Sequence, residues 1–439
     1  MSMLLTIALI GVVVMLVLLF MGMHIGFAMM SVGFFGYWIA TGNLNAAWGV
    51  LRQVPATTAS NYSLCVIPLF VFMGNLAFAG GMSDGLFNAG DKWLGKLPGG
   101  IGCATIAACA GFGAICGSAP ATAATMGVVA VPKMKEFGYN DSLSTGAVAA
   151  GGTLGILIPP STPMIVYGVM AEASIGRLFA GGVIPGLLLA VLFMATIVLK
   201  VKLHPDYAPK SDRAISWRER FAALKDLVWV VILFGIVLGG MFSGFFSVNE
   251  SAAIGCVVAF LIYIIRRRFT VKGFIKVFLD SLKSAVMVYF VIMGADVFGK
   301  FLTITNMPAT LASIVGGLRI SRYIIILIII LIYAIMGMFM DALPMITLTA
   351  PIFLPVVTSL GFDTIWFGIL CIIVMELGII TPPGGMCCYV ISGVCKDVPL
   401  KKVFSGAMMF VPAILICAVL LAIFPQIALW LPNLAYGAA

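Results

Sequence analysis

The sequence predicts an all-α polytopic membrane protein, built as an inverted-topology repeat of two related halves. Of its 439 residues, 62% are hydrophobic and only 9% are charged, whereas soluble domains carry about 25% charged residues. Two matching runs with a double proline, LGILIPP from Leu154 and LGIITPP from Leu377, lie 223 positions apart. Together these observations indicate a membrane-embedded chain that uses one motif twice.

The 223-residue offset extends well beyond the two proline runs. It holds over roughly forty residues without a gap, and it pairs Ala119 with Ala342, Pro132 with Pro355, Gly138 with Gly361 and Tyr139 with Phe362. Because glycine-rich and Pro-Pro segments interrupt helices, each half is predicted to hold a membrane helix broken at mid-depth, over about 143–171 and about 364–395. Paired broken helices of this kind indicate the binding site of a secondary transporter.

Apolar runs of spanning length and two shorter patterns complete each half. Full spans are predicted at about 3–21, 26–42, 62–80, 178–200, 226–243, 249–265, 277–299 and 404–432. The stretches 100–136 and 323–360 each consist of two short apolar arms joined by a small tip, 117–122 or 341–344. Such arms are typical of re-entrant hairpins, whose irregular backbone is tolerated only inside protein or around a water-filled cavity.

The predicted domain organisation is a first half at 1–203, a cytoplasmic linker at 204–225 and a second half at 226–439. The first run has no preceding Lys or Arg, which favours a membrane span over a signal peptide. Each half contains five crossings, and because five is odd the two copies must have opposite orientations. With Met1 outside, nineteen of the 25 Lys and Arg residues fall on the inner side and four on the outer side, as the positive-inside rule requires. The end of the linker, 215–227, fits either an amphipathic surface helix or a plain solvated segment.

Enzyme signatures are missing from the sequence. It has no P-loop, no Ser with a nearby His and no metal-type spacing of His, Cys and carboxylates. The ten Cys lie almost wholly in apolar segments and are interpreted as small buried hydrophobes. The net charge of +9 is explained by cytoplasmic loops rather than by a nucleic-acid partner. We therefore expect a non-enzymatic protein that has the lipid bilayer as its environment.

The two predicted breaks supply polar groups within apolar segments. A broken helix frees carbonyl oxygens at one half-helix end, which suit Na⁺, and N–H groups at the other, which suit a carboxylate. Hydroxyl and glycine residues stand beside both breaks: Thr153, Ser161 and Thr162 at the first, and Thr381, Gly384 and Gly385 at the second. The alternative is a Gly/Pro kink that serves helix packing alone.

The hairpin tips carry the second set of candidate groups. Ser118 and Thr122 offer hydroxyls, and Asp341 is a carboxylate in a deeply apolar setting. An ionisable residue there is a functional-site hypothesis by default, although Asp341 also fits a cap satisfied by backbone N–H groups. Asp296 and Lys300, four residues apart, predict an ion pair on one helix face; alternatively Lys300 meets an anionic substrate.

The motifs GSAPATAATMGVVAVPKMKEFGY, LGILIPPSTPMIVYGV and MDALPMITLTAPIFLPVVTSLGFD together resemble the large membrane subunit of TRAP (tripartite ATP-independent periplasmic) transporters. The chain is also distantly similar to Na⁺-coupled dicarboxylate elevator transporters. The resemblance implies import of a small organic anion, of the C4-dicarboxylate or sialic acid class, across the bacterial inner membrane. It further implies coupling to two or more Na⁺ ions, no organic cofactor, and an elevator movement. Its expected partners are a small four-helix membrane subunit and a soluble periplasmic binding protein.

The same resemblance implies the site residues. Each Na⁺ lies between a hairpin tip and a broken helix, and the predicted ligand positions are Gly117, Ser118, Gly152, Gly155, Pro159, Asp341, Gly378, Thr381 and Pro383. The substrate is expected between the tips, near Ser118, Thr122, Ser161, Thr162, Lys300, Asp341, Gly384 and Gly385. A stand-alone Na⁺/dicarboxylate symporter is the alternative within transport. A passive channel is less favoured, because polar groups occur at the breaks and tips and form no continuous stripe through the spans.

Overall fold

The computed structural model describes residues 3–209, 216–317 and 320–437, and these fold into α-helices with no strand. The first half contains α1 (Met3–Phe20), α2 (Ile25–Thr41), α3 (Leu44–Ala59), α4 (Val66–Ala79), α5 (Met82–Leu94), α6 (Gly100–Cys116), α7 (Ala119–Glu136), α8 (Asp141–Leu157), α9 (Thr162–Met170) and α10 (Ile175–Leu203). Short 3₁₀ turns lie at Tyr62–Cys65, Pro205–Tyr207 and Met408–Phe410.

The second half continues with the same kind of element. It contains α11 (Trp217–Phe242), α12 (Val248–Ile265), α13 (Val271–Ile304), α14 (Met307–Gly317), α15 (Arg322–Gly337), α16 (Ala342–Ser359), α17 (Thr364–Ile380), α18 (Met386–Val394), α19 (Leu400–Ala407), α20 (Val411–Ile423) and α21 (Gln426–Tyr436). In the part of the chain that the structure describes, eight helices are long and apolar enough to cross a membrane, or nine if the bent helix α11 forms one span. The polytopic membrane fold that the composition predicts is therefore confirmed.

Two predictions about individual elements need correction or limits. The predicted span over 404–432 is confirmed within Leu400–Ile423 but ends earlier than predicted, because Pro425 lacks a backbone N–H and the chain leaves helical geometry between α20 and α21. Residues 210–215 of the linker are not among the described residues. Neither is Arg319, which is predicted to lie on the outer side of the membrane. Helix α11 runs across the predicted boundary at 225/226 and bends by 49° between Lys225 and Leu227. The domain boundaries stay predictions.

Helices α8 and α17 form the centre of the molecule. Every residue of α8 from Leu143 to Leu157 is buried, and so is every residue of α17 from Ile365 to Glu376. Burial on every side means that other helices of the protein, rather than lipid, surround these two helices. The bounds of these helices follow the sequence offset: α17 begins and ends 223 positions after α8, and α16 does the same relative to α7.

Ion pairs join the two halves at the end of α7, on the predicted inner side. The Lys135 ammonium pairs with the carboxylates of Asp397 and Asp141, and Lys402 lies 3.3 Å from Asp141. The hydrogen bond from Lys135 holds the pKa of the Asp397 carboxyl below its usual range. These contacts tie the start of α8 to the segment between α18 and α19.

Candidate functional site

The first hairpin tip lies against the first helix break. Helix α6 ends at Cys116, Gly117 has a positive φ of 64°, and the extended residue Ser118 precedes α7 without a side-chain cap. The backbone N–H of Thr162, at the start of α9, donates to the Gly117 carbonyl at 3.3 Å. The tip and the break are thus joined through the backbone, which leaves the Ser118 hydroxyl uncommitted to the cap.

Glycine allows this approach at the end of α8. A Cβ added at Gly155 would lie 2.9 Å from the Thr122 hydroxyl and 3.1 Å from the Ser118 carbonyl oxygen. A Cβ added at Gly117 would lie 2.9 Å from the Pro160 carbonyl oxygen. Carbonyl and hydroxyl oxygens from both segments therefore converge where the sequence predicts the first Na⁺ site.

The second tip also lies against the second break, through a close approach of the two backbones, and it carries a charge. Asp341 caps α16, and its Oδ1 accepts the Ala342 N–H at 2.8 Å. Among the described residues this is the only hydrogen bond of the Asp341 side chain. A Cβ added at Gly378 would lie 2.2 Å from the Gly337 carbonyl carbon, and one at Gly384 only 1.9 Å from the Met338 carbonyl oxygen.

A cavity of about 230 Å³ opens between the two tips. Helices α4 and α13 and the start of α9 form its other walls, and its polar lining consists of Asn75, Ser118, Thr162, Ser284 and Asp341. Of the described residues that line the cavity, Asp341 alone is charged. The structure therefore brings together four predicted site residues: Gly117, Ser118, Thr162 and Asp341.

Two of the lining residues come from outside the predicted site. The Asn75 amide, on α4, donates to the Ser281 hydroxyl at 2.8 Å, and Ser284 lies one turn further along α13. Both face the tips from the opposite wall of the cavity. The sequence holds one signal for Asn75, since it is a lone amide within the apolar run IPLFVFMGNLAFA.

A further contact joins the two broken helices to each other. The Thr153 hydroxyl of α8 lies 2.8 Å from the Glu376 Oε2 of α17, and both residues are fully buried. These two positions are themselves 223 residues apart, so equivalent points of the two halves touch. The other oxygen, Glu376 Oε1, has no hydrogen-bond partner among the described residues. The offset was a signal for this pair that sequence reasoning overlooked.

Several predicted site residues do not line the cavity. Ser161 is fully buried and its hydroxyl donates to the Ile156 carbonyl at 2.5 Å, while the Thr381 hydroxyl donates to Leu377 at 2.9 Å. Gly384 and Gly385 lie at the second break, outside the cavity lining. The Thr122 hydroxyl donates to the Ser118 carbonyl at 2.8 Å, behind the first tip.

Asp296 and Lys300 lie close enough to interact electrostatically, but among the described residues they form no direct ion pair. The Asp296 Oδ2 instead accepts a 2.8 Å hydrogen bond from the Thr58 hydroxyl of α3. Helix α3 was not among the predicted spans, so this partner was not foreseen. Lys300 is exposed, and it lies about 20 Å along α13 from Met287 at a rise of roughly 1.5 Å per residue. It does not line the cavity.

The donor set around the tips and breaks consists of oxygens. Carbonyls such as those of Ser118 and Pro160, hydroxyls and the Asp341 carboxylate are hard ligands, which suit an alkali or alkaline-earth cation rather than a soft transition metal. In the described ranges, no three or more His, Cys, Asp or Glu side chains lie close enough together to hold a metal ion. The residues present fit Na⁺, as the sequence predicts, and the ion sites themselves stay predictions.

Comparison with known proteins supplies independent information. Residues 12–427 match the family described as "Tripartite ATP-independent periplasmic transporter, DctM component". The C4-dicarboxylate TRAP transporter large permease protein DctM of Pseudomonas aeruginosa is 36% identical and covers 86% of this chain and 87% of its own length. The sialic acid TRAP transporter large permease protein SiaM of Vibrio cholerae is 32% identical, over 96% of this chain and 97% of its own length. The solved structure of Neisseria gonorrhoeae MtrF matches 88% of this chain and 85% of that chain, with a TM-score of 0.61 and 14% identity. That last likeness shows the fold alone.

Proposed function

The chain belongs to the DctM family of TRAP transporter large permeases, and from this premise we propose that it imports a small organic anion by Na⁺ symport. As a family member it is a multi-pass protein of the bacterial inner membrane that works in secondary transport. Relatives named for C4-dicarboxylate, isethionate and sialic acid support the proposed substrate class, a small organic anion. The Na⁺ coupling, the ion sites and the movement are the proposed part.

The observation that carries the proposal is the single carboxylate of Asp341 in the cavity between the tips. Two like charges about 4 Å apart repel by about 4 kcal/mol at an effective dielectric constant of about 20. An anionic substrate is therefore disfavoured in this cavity unless a cation binds with it. In Na⁺ symport this cation is Na⁺, and the carbonyl oxygens around both tips are its proposed ligands.

In the proposal each Na⁺ is held between a tip and a break. The first ion takes oxygens from Gly117 and Ser118 and from the break at Gly152, Gly155 and Pro159. The second takes the Asp341 carboxylate and oxygens from the break at Gly378, Thr381 and Pro383. Because each ion bridges two segments, binding of Na⁺ orders the tips and so completes the substrate site.

The substrate then contacts groups that the structure brings to one cavity. The Ser118 and Thr162 hydroxyls donate hydrogen bonds to its carboxylate, and the N-terminal end of α9 adds the partial positive charge of a helix terminus. Asn75 and Ser284 are the polar groups on the opposite wall. We propose that the hairpins and broken helices (α6–α9 and α15–α18) move together as an elevator against a scaffold that includes α4 and α13.

The tripartite family implies two partners, a small membrane subunit and a periplasmic binding protein, and we propose that this chain needs both. The small subunit is expected to have four helices and to lie against the scaffold. The binding protein is expected to deliver the substrate to the outer side. Substrate selection is then shared between that protein and the cavity.

The test is uptake of labelled organic acids into proteoliposomes, with and without each partner and an inward Na⁺ gradient. We expect uptake only when all are present. Asp341→Asn should reduce it to the level without Na⁺, since asparagine caps a helix as well as aspartate does but carries no charge. The control is Asp206→Asn, which removes the charge of an exposed carboxylate away from the cavity and should transport normally.

Three outcomes would revise the proposal. Uptake by the chain alone would assign it to stand-alone symporters, and uptake that ignores Na⁺ would favour a channel. Wild-type rates in Asp341→Asn would remove Asp341 from the site.

A further inference from the structure

A second cavity, of about 650 Å³, lies away from the transport site, between α15, α17 and the junction of α20 with α21. Its walls are mostly aliphatic and include Ile326, Leu327 and Ile423. Two opposite charges line it as well: the Arg322 guanidinium and the Asp363 carboxylate. The cavity is therefore amphipathic, with a positive group and a negative group beside an apolar wall.

The Arg322 side chain is held in place by aromatic rings. Its guanidinium carbon lies 5.3 Å from the ring centroid of Tyr323 and 5.1 Å from that of Phe362. Phe362 in turn stacks on Trp366 at 5.1 Å. Stacking on aromatic rings holds a guanidinium in place, and the N–H donors in the plane of the guanidinium stay available for other partners. Within the described chain the only hydrogen bond of this side chain is a long one, 3.5 Å, to the Leu360 carbonyl.

The Asp363 carboxylate is also held in place, through hydrogen bonds to one of its two oxygens. Its Oδ1 caps α17 by accepting the N–H groups of Ile365 at 2.7 Å and Trp366 at 3.0 Å. Among the described residues its Oδ2 has no hydrogen-bond partner. A cation at Oδ2 and an anion at Arg322 would thus each meet a preorganised group of opposite charge.

The first half of the molecule fills the equivalent position with its own chain. Asn140, 223 residues before Asp363, donates its backbone N–H to the Tyr207 carbonyl at 2.9 Å, and the Lys200 ammonium lies 4.5 Å above the Tyr207 ring. Where the second half has Arg322, the first has Gly99, and a Cβ added there would lie 2.7 Å from Ile197. The first position is closed by polypeptide, whereas the second stays open as the cavity.

We propose that this cavity binds a phospholipid with a primary-amine headgroup, phosphatidylethanolamine in chemical class. The phosphate contacts Arg322, the ammonium contacts Asp363 Oδ2, and one acyl chain lies along the aliphatic wall. Tyr323, which is exposed, is an aromatic residue of the kind that marks the membrane–water interface, which is the depth of a lipid headgroup. This inference is independent of Na⁺ coupling and of the transported substrate.

The test is native mass spectrometry of the purified chain with three lipids that share the same acyl chains. Phosphatidylethanolamine should be retained more strongly than phosphatidylcholine, whose quaternary ammonium cannot donate a hydrogen bond, and than phosphatidylglycerol, which has no ammonium. Arg322→Gln should weaken retention of phosphatidylethanolamine by about tenfold or more, the scale of a lost hydrogen bond to a charged group. Asp363→Asn keeps the helix cap and should remove the preference over phosphatidylglycerol.

The matched control is Arg52→Gln, which removes an exposed arginine of α3 that does not line this cavity. It should leave lipid retention unchanged. The lipid panel on the wild-type chain tests the proposal even if a variant fails to fold. Equal retention of all three lipids, retention of phosphatidylglycerol above phosphatidylethanolamine, or equal binding of soluble glycerophosphoethanolamine would overturn it.

Discussion

The two hairpin tips lead into helices of equal length, α7 and α16, but they differ in backbone conformation and in charge. The first tip presents Ser118, an uncharged residue without a side-chain cap bond, whereas the second presents Asp341, a carboxylate that caps α16. In the proposed symport, one carboxylate and two Na⁺ ions leave the cavity with one net positive charge. The difference between the tips therefore explains how a site with a negative residue accepts an organic anion, and why the anion depends on the ions.

The two tips also differ in how closely they meet their breaks. At the first break, the atoms nearest to a Cβ added at Gly155 are the Thr122 hydroxyl, at 2.9 Å, and the Ser118 carbonyl oxygen, at 3.1 Å. At the second break, a Cβ at Gly378 would lie 2.2 to 2.4 Å from three backbone atoms of Gly337. A hydroxyl side chain can turn aside, but a helix backbone cannot. A side chain at Gly378 is therefore more tightly constrained than one at Gly155.

The largest expected effect follows from this constraint. Gly378→Ala should destabilise the protein by about 1–3 kcal/mol, the usual cost of overpacking, and should lower Na⁺-dependent uptake further by separating the tip from the break. Gly155→Ala should have a clearly smaller effect on both quantities. Thermal unfolding in detergent together with uptake would measure them.

The control for this pair is Gly393→Ala, because nothing lies within 4 Å of a Cβ at that position. It should behave as wild type or be slightly more stable, since alanine favours helix. Equal effects of Gly155→Ala and Gly378→Ala would contradict the difference between the two halves.

A smaller effect is expected where the two halves touch. Thr153→Val removes the hydroxyl that meets Glu376 and should cost about 0.6 kcal/mol and at most about 1.7 kcal/mol, the mean and the maximum measured for hydrogen bonds within a membrane protein. Glu376→Gln should be nearly neutral, because its amide can donate to the Thr153 oxygen. Thr105→Val is the matched control: its buried hydroxyl donates to Ile101 in its own helix. If Thr153→Val and Thr105→Val were equally mild, the contact between the halves would carry no special stability.

The proline runs and their offset located the broken helices, because Gly and Pro act on the backbone within a few residues. They predicted the ends of α8 and α17 and the positions of both tips without any knowledge of packing. Whether the copies are inverted and move as an elevator stays part of the proposal. Interruptions of a helix can be predicted from the sequence because their cause lies within a few residues of the interruption.

Side-chain direction was harder to predict, because it depends on neighbours distant in sequence. Ser161 stands beside the break as predicted, yet its hydroxyl turns inward to Ile156 rather than into the cavity. Asp296 has a carboxylate four residues from Lys300, but its partner is Thr58, which lies 238 positions away. Asn75 and Ser284 belong to different halves, and only the packing of α4 beside α13 brings them to one wall.

Direct binding of radioactive Na⁺ to the purified chain is the measurement that tests the central claim most closely. The account predicts saturable binding of at least two ions per wild-type chain. In Asp341→Asn it predicts the loss of one ion, at the second tip, with binding retained at the first. Absence of saturable Na⁺ binding, or the same number of ions in Asp341→Asn as in the wild type, would contradict it.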